Sequence, residues 1–233
     1  MNQRSAFSWA FVILLAGVAI PRADAGDGEA LLTVKCAGCH DLAGPAPTTL
    51  EALWDRKGPD LFYAGNKYKA DWMTRWLQKP QRIRPAGMYY GRHIRSTPDG
   101  DEIDASTLTD HPALSAEDAA AVTAALMRRK ARSDLIHAGE YHAGNISLTM
   151  GEMMFDKFKG CLACHRIEPD YGGLSGPEVY TAAERLQDDY MMSYMRNPQA
   201  WDPRIFMPNK QLSDRDLGKF VDYMHALSAT GGE

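Results

Sequence analysis

Two copies of the pattern Cys-x-x-Cys-His constrain this chain more than any other feature of its sequence. The pattern is the attachment signature of c-type haem, in which both thiols bind the porphyrin covalently and the histidine offers an imidazole to the iron. The two copies use all four cysteines of the chain. The sequence therefore predicts two covalently bound haem c groups. The predicted attachment residues are Cys36, Cys39 and His40 in the first copy and Cys161, Cys164 and His165 in the second.

Cysteine pairs also occur in zinc sites, in redox-active dithiols and in the disulfides of exported proteins. A four-cysteine zinc site could use both pairs, but it would not require a histidine at the same place after each pair. A thioredoxin-like dithiol would lie in an alternating strand–helix pattern, which this chain does not show. Two disulfides would also leave both histidines unexplained. Haem attachment is the interpretation that uses every residue of the motif.

The N-terminus predicts export from the cytoplasm. Arg4 provides a short positive region, Ala6–Ile20 is mostly apolar, and Ala23–Ala25 is a small-x-small cleavage site. This apolar run of 15 residues is shorter than the roughly 20 that a membrane-spanning helix needs. We therefore expect a signal peptide and, after its cleavage, a soluble periplasmic protein without a transmembrane anchor.

The charge balance excludes one class of partner. Signal cleavage would remove Arg4, Arg22 and Asp24, which leaves 24 Lys and Arg residues against 29 Asp and Glu residues. Nucleic acid is not an expected partner, because the chain has no basic stripe. A weakly acidic surface favours docking on a basic patch of a redox partner protein.

The two halves of the chain form an internal repeat. Gly58-Pro59-Asp60 matches Gly176-Pro177-Glu178, which lies 118 positions later. Closer to the C-terminal ends, Leu114-Ser115 matches Leu212-Ser213 with an offset of only 98, so the first half carries about 20 additional residues. We therefore expect a signal peptide at 1–25, a first domain at 26–132 with an insertion at about 89–111, a linker at 133–145 and a second domain at 146–233.

The spacing of apolar residues predicts an all-α fold. Helical spacing occurs at Asp71–Lys79 and at Arg185–Arg196. A capping box at Thr149 and Glu152 predicts the start of the helix that leads into the second motif. We interpret no segment as a strand or as a hairpin turn.

The order of features within each half resembles the class I cytochrome c family. Each half shows an N-terminal helix, the Cys-x-x-Cys-His motif, a Gly-Pro pair, an aromatic-rich helix, a segment with Pro and Met, and a C-terminal helix. The resemblance implies an all-α fold of two tandem cytochrome c domains, each a small helical fold around one haem. It implies that His40 and His165 are the proximal ligands and that the carbonyls of Pro59 and Pro177 hold them.

The resemblance also implies a methionine as the distal ligand of each iron, which raises the reduction potential. Met207 lies nine residues after Pro198 and matches the Met-Pro loop of the family. In the first half, Met88 lies eight residues after Pro80, and this register selects it as the ligand. The alternatives in the insertion are His93 and His111, and a nitrogen ligand would lower the potential.

Two six-coordinate irons favour electron transfer over catalysis. We expect a diheme cytochrome c that passes single electrons between redox partner proteins of a respiratory or dehydrogenase chain. A first alternative is the electron-accepting cytochrome subunit of a periplasmic dehydrogenase or oxidase complex. A second is a diheme peroxidase, for which the chain is short.

Overall fold

A computed structural model describes residues 25–230 of the chain. The predicted signal peptide lies outside these residues, apart from its last position. Within 25–230, no helix combines the length and the apolarity that crossing a bilayer requires.

Helices form the framework of the first half. The first helix, α1, and the last, α5, cross closely at Gly28, where a side-chain Cβ would lie 2.4 Å from the carbonyl oxygen of Ala121. Ser115 caps α5, because its hydroxyl accepts from the backbone N–H of Asp118. The bounds are α1 Ala25–Leu31, α2 Leu50–Trp54, α3 Ala64–Lys67, α4 Ala70–Gln78 and α5 Ala116–Met127.

The second half repeats this arrangement with two departures from the predicted helices. Its first helix is capped by Ser147, which accepts from the N–H of Met150, and not by Thr149. The helix predicted at Arg185–Arg196 is interrupted at 186–187, where the chain becomes extended. The bounds are α6 Leu148–Met153, α7 Ala182–Arg185, α8 Asp188–Arg196, α9 Pro198–Trp201 and α10 Asp214–Ala229.

The expectation of an all-α fold is wrong, since each half also contains a small antiparallel sheet. In the insertion of the first half, β1 (Ile94–Thr97) pairs with β2 (Gly100–Ile103) across a two-residue turn. After the second motif, β3 (Arg166–Glu168) pairs with β4 (Tyr171–Gly172). The fold is therefore mixed, with helices around the sites and a hairpin in each half.

Three clusters of buried side chains organise the structure. One lies between α1, α4 and α5 of the first half, and another lies among the helices of the second half. The third cluster joins the two halves, because it contains residues of both. Its members are Ala46, Phe62, Tyr63, Tyr190 and Trp201.

The segment predicted as a linker packs on the second half. The carboxylate of Asp189 accepts from the N–H groups of Gly139 and Tyr141, at 2.6 and 3.0 Å. The buried carboxylate of Asp222 accepts from the Tyr141 hydroxyl at 2.9 Å and from the N–H of Gly144 at 2.8 Å. These hydrogen bonds hold the connection in a defined position between the halves.

Candidate functional site

Each Cys-x-x-Cys-His run begins where the first helix of its half ends. Both helices widen into a π-helical turn before the motif, at Leu32–Cys36 and at Met154–Phe158. In the first motif, the N–H groups of Cys39 and His40 both donate to the carbonyl of Cys36 at 3.0 Å. The second motif repeats this turn, with both distances at 3.1 Å. The same backbone geometry therefore presents both motifs.

A proline carbonyl holds each motif histidine. Nδ1 of His40 lies 2.7 Å from the carbonyl oxygen of Pro59, and Nδ1 of His165 lies 2.7 Å from that of Pro177. Because a carbonyl oxygen can only accept, Nδ1 carries the proton and Nε2 keeps a free lone pair. Such a contact sets the tautomer and the orientation of a metal-binding imidazole. It is the contact that the family resemblance implied for these prolines.

The glycine before each proline allows the loop to approach the imidazole. A Cβ at Gly58 would lie 2.4 Å from Cε1 of His40, and a Cβ at Gly176 would lie 2.7 Å from Cε1 of His165. Both separations are shorter than a van der Waals contact, so a larger residue would displace the ring. The sequence repeat marked both glycines, but sequence reasoning assigned them no role.

Burial favours the neutral form of both motif imidazoles. It lowers the pKa of His165, and the positive charges of Arg84 and Arg185 lower it further. Burial also lowers the pKa of His40, where it outweighs the hydrogen bond to the proline carbonyl, and the nearby His111 adds to the effect. The neutral imidazole is the form that binds a metal.

The four cysteines are free thiols, and each pair lies beside the histidine of its own half. Cys36 and Cys161 are half-buried, and burial raises the pKa of both thiols. Cys39 and Cys164 are exposed. Within residues 25–230, no three His, Cys, Asp or Glu side chains converge as a structural zinc site requires. Each half thus has its own pair of free thiols next to its motif histidine.

Met207 lies in a loop beside the core of the second half and packs partly against it. The side-chain amide of Gln199 donates to the carbonyl of Met207 at 2.7 Å. The N–H of Ile205 donates to the carbonyl of Asp202 at 3.1 Å, which turns the chain just before the methionine. These contacts hold the loop, and Met207 stays the predicted distal ligand of the second half.

Met88 and His93, two of the three candidate distal ligands of the first half, lie at the base of the insertion. Met88 is half-buried and follows Gly87, whose φ is +69°. The ring of His93 lies against Gly87, where a Cβ would be 2.9 Å from Cδ2 of the imidazole. Nδ1 of His93 lies 2.9 Å from Oγ1 of Thr107. The imidazole of His93 therefore belongs to the contacts of the insertion.

His111 lies next to the first motif histidine. The ring centroids of His111 and His40 are 6.1 Å apart, and the indole of Trp76 lies 4.7 Å from the His111 ring. Nδ1 of His111 is 2.9 Å from the carbonyl oxygen of Pro112. Burial lowers the pKa of His111. The structure thus brings together His40 and His111, which are 71 positions apart in the sequence.

Charged side chains join the halves close to the sites, and sequence reasoning missed them. Arg56 donates to Asp60 at 2.9 Å and to Asp202 of the other half at 2.5 Å. Burial alone would lower the pKa of Arg56, but the negative charges of Asp202 and Asp60 outweigh this effect and raise the pKa. Arg84 reaches towards the carbonyl of Ser175 at 3.5 Å, and burial lowers its pKa. Arg84 and Asp202 occupy equivalent positions at the 118-residue offset, but no feature of the sequence pairs Arg56 with Asp202.

No protein-family profile, curated protein or solved structure matches this chain. The function must therefore be argued from the motifs and from the geometry that surrounds them.

Proposed function

We propose that this protein is a periplasmic diheme c-type cytochrome that carries single electrons between redox partner proteins. One observation carries the proposal: a haem-attachment turn, with its histidine held at 2.7 Å by a proline carbonyl, occurs in each half. Its occurrence at matching places of an internal repeat indicates one chemistry used twice. When bound, haem c supplies one-electron exchange between ferric and ferrous iron.

The residues of both halves fit a covalently attached haem. The paired thiols are free to form thioether bonds, and Nε2 of each motif histidine is free to bind iron. The holding residues would be Cys36, Cys39 and His40 in the first half and Cys161, Cys164 and His165 in the second. This use of the motif is the one that a class I cytochrome c makes.

Buried donors without partners also fit this cofactor. Nε1 of Trp54 and Nε of Arg56 are buried, and no hydrogen-bond partner for either lies among residues 25–230. Leaving a buried donor unsatisfied costs about 1–3 kcal/mol. The two haem propionates are carboxylates, which would accept from such donors. Trp54 and Arg56 are therefore residues that would help to hold a haem in the first half.

Exposure around the motifs supports exchange of electrons with other proteins. Cys39 and Cys164 reach the surface, so one edge of each attachment site is accessible to a partner. Phe158 and Phe206 are 63 % and 64 % exposed and lie close in sequence to Cys161 and Met207. Contiguous exposed apolar patches mark contact surfaces, whereas single exposed apolar side chains are common. The exposed edges of the two attachment sites are therefore the proposed places of partner docking.

Covalent haem content is the direct test. The chain is produced with a haem c maturation system in a bacterial periplasm, then denatured, and its intact mass and absorption are measured. We expect two haems per chain. Cys39→Ser and Cys164→Ser should each impair attachment at one site only. Gly218→Ala is the control, because its methyl group would lie in open space on α10, outside both motifs.

A redox titration and an activity assay complete the test. We expect two one-electron steps and no turnover of peroxide by the half-reduced protein. Fewer than two haems in matured wild-type protein would overturn the diheme proposal. Peroxide turnover would instead support an enzyme.

A further inference from the structure

We infer that His111, rather than Met88, is the second axial ligand of the first haem. This rests on the proposed function, because it assumes that the first motif holds a haem. It assigns the two halves different ligand pairs, histidine with histidine in the first half and histidine with methionine in the second.

The distance between the rings is the first observation. Two imidazoles on opposite sides of one iron have centroids about 6 Å apart, since each metal–nitrogen bond is about 2.0 Å long. The centroids of His40 and His111 are 6.1 Å apart. Distance alone does not decide the matter, because the ring of Phe155 lies 6.2 Å from that of His165 without any ability to bind a metal.

The hydrogen bonds of the two rings are the second observation. Nδ1 of His40 lies against the carbonyl of Pro59, and Nδ1 of His111 lies against the carbonyl of Pro112. Each ring therefore has its Nδ1 proton engaged and its Nε2 lone pair free. Histidines that bind metals are held in this way by a carbonyl or carboxylate. Nδ1 of His93 is engaged in the same way by the Thr107 hydroxyl of the insertion, so it is the approach to His40 that distinguishes His111.

The position of His111 relative to the last helix of its half is the third observation. His111 lies four residues before the cap Ser115, and Met207 lies six residues before the matching cap Ser213. The N–H of Leu114 donates to the carbonyl of Leu77 at 2.8 Å, which fixes this segment at the end of α4. Counted from the C-terminal helix, His111 therefore lies within two residues of the place that Met207 occupies in the second half.

The insertion explains why counting from Pro80 and counting back from the C-terminal helix give different ligand positions. Counted from Pro80, the ligand position falls on Met88, but this register ignores the β1–β2 hairpin that follows. The hairpin leaves the ligand loop after Met88, and the chain returns at 104–111. The additional residues thus precede the ligand.

Trp76 positions the proposed ligand. Its indole lies 4.7 Å from the ring of His111, and its Nε1 donates to the carbonyl of Gln81 at 3.0 Å. The hydrogen bond holds the indole, and the indole limits the movement of the imidazole. Trp76 is a positioning residue in this proposal.

The ligand pairs give the two haems different reduction potentials. A thioether favours ferrous iron, and a second imidazole lowers the potential. The first haem should therefore be the low-potential site and the second the high-potential site. An electron would then rest on the second half, which also carries the exposed apolar residues Phe158 and Phe206.

Absorption and magnetic spectra of the full-length holoprotein test this assignment. We expect a methionine-to-iron charge-transfer band with the intensity of one haem, and one bis-histidine signal in electron paramagnetic resonance. His111→Ala should abolish the bis-histidine signal and let the reduced protein bind one carbon monoxide per chain. Added imidazole should restore the signal, which shows that the fold is intact. The matched control is His142→Ala, which removes an exposed histidine.

Met88→Ala separates the two candidates. We expect the charge-transfer band to keep its intensity in this variant. The inference is overturned if Met88→Ala halves the band, or if His111→Ala leaves the bis-histidine signal unchanged. Either result with two haems still attached leaves the proposed function standing. A chain without covalent haem would refute the proposed function itself.

Discussion

Tyr68 pairs with Leu186 in an antiparallel backbone bridge between the two halves, and Leu186 is the residue that matches Tyr68 in the sequence repeat, 118 positions later. The N–H of Lys69 donates to the carbonyl of Arg185, and the N–H of Gln187 donates to that of Lys67, both at 2.9 Å. The two hydrogen bonds are the same contact with the halves exchanged.

Side-chain hydrogen bonds between the halves repeat in the same way, with the two halves exchanged. Nζ of Lys69 donates to the carbonyl of Ala183 at 2.7 Å, and Nε2 of Gln187 donates to that of Gly65, the matching position, at 2.8 Å. Contacts that repeat with their partners exchanged require a two-fold rotation between the halves. An approximate two-fold axis therefore passes close to the bridge between Tyr68 and Leu186.

Trp201→Ala should destabilise both halves together. The indole is fully buried between the halves, with the rings of Tyr63 and Tyr190 at 5.2 and 4.9 Å. Its loss should lower the free energy of unfolding by about 3–5 kcal/mol, because a large cavity remains. Guanidinium titration of the holoprotein measures this. Val34→Ala, at a side chain that is 82 % exposed, is the control and should change stability by less than about 0.5 kcal/mol.

Met207→Ala should open the second iron and lower its potential, because a thioether that favours ferrous iron is lost. Spectroelectrochemistry should show the methionine charge-transfer band disappear. Met150→Ala, at a methionine that is 45 % exposed, should leave the band and the potential unchanged. An unchanged band in Met207→Ala would move the ligand to another residue.

Gly58→Ala and Gly176→Ala should each disturb one haem only. The new methyl group would lie 2.4 Å from Cε1 of His40 in the first case and 2.7 Å from Cε1 of His165 in the second. We expect a changed potential at the first or the second site, respectively, in a redox titration. Gly218→Ala adds a methyl group in open space on α10 and should leave both potentials unchanged. Equal changes at both haems would contradict the assignment of one loop to each ring.

Tyr141→Phe should weaken the attachment of the 133–145 segment. The hydroxyl donates to the buried carboxylate of Asp222 at 2.9 Å, and such a bond to a charged group is worth about 1–3 kcal/mol. Thermal or guanidinium unfolding at pH 7 measures the loss. Tyr171→Phe removes a more exposed hydroxyl, 3.3 Å from Glu152, and should change stability by less than about 0.5 kcal/mol.

The same pair predicts a dependence on pH. Burial and the hydrogen bond to Asp222 raise the pKa of Tyr141 above its ordinary value of about 10. A group whose pKa is raised by folding stabilises the protein below its unfolded pKa and loses this contribution as the pH rises. The difference in stability between wild type and Tyr141→Phe should therefore shrink above about pH 10. A constant difference would exclude this hydrogen bond as its source.

The hairpin of β1 and β2 has a sequence signal that the prediction of an all-α fold did not use. Pro98-Asp99-Gly100 is a strong turn signal, and it lies at the turn between β1 and β2. Gly100 has a φ of +123°, which glycine adopts without strain. By contrast, the break of the predicted helix at 186–187 has no local signal, because the bridge to the other half causes it.

The sequence by itself determined the two motifs, their repetition and the chemistry that we propose from them. The motif spacing, the Gly-Pro pairs and the helix caps are local, since each depends on residues a few positions apart. The structure contains the turns and the caps Ser115 and Ser213, whereas the cap predicted at Thr149 lies at Ser147. Only the tertiary structure decided which side chains meet across long separations. The approach of His111 to His40 depends on how the chain returns from the hairpin, and the bond between Arg56 and Asp202 depends on the two-fold packing of the halves. Such contacts follow from the packing of whole elements, which no short pattern in the sequence encodes.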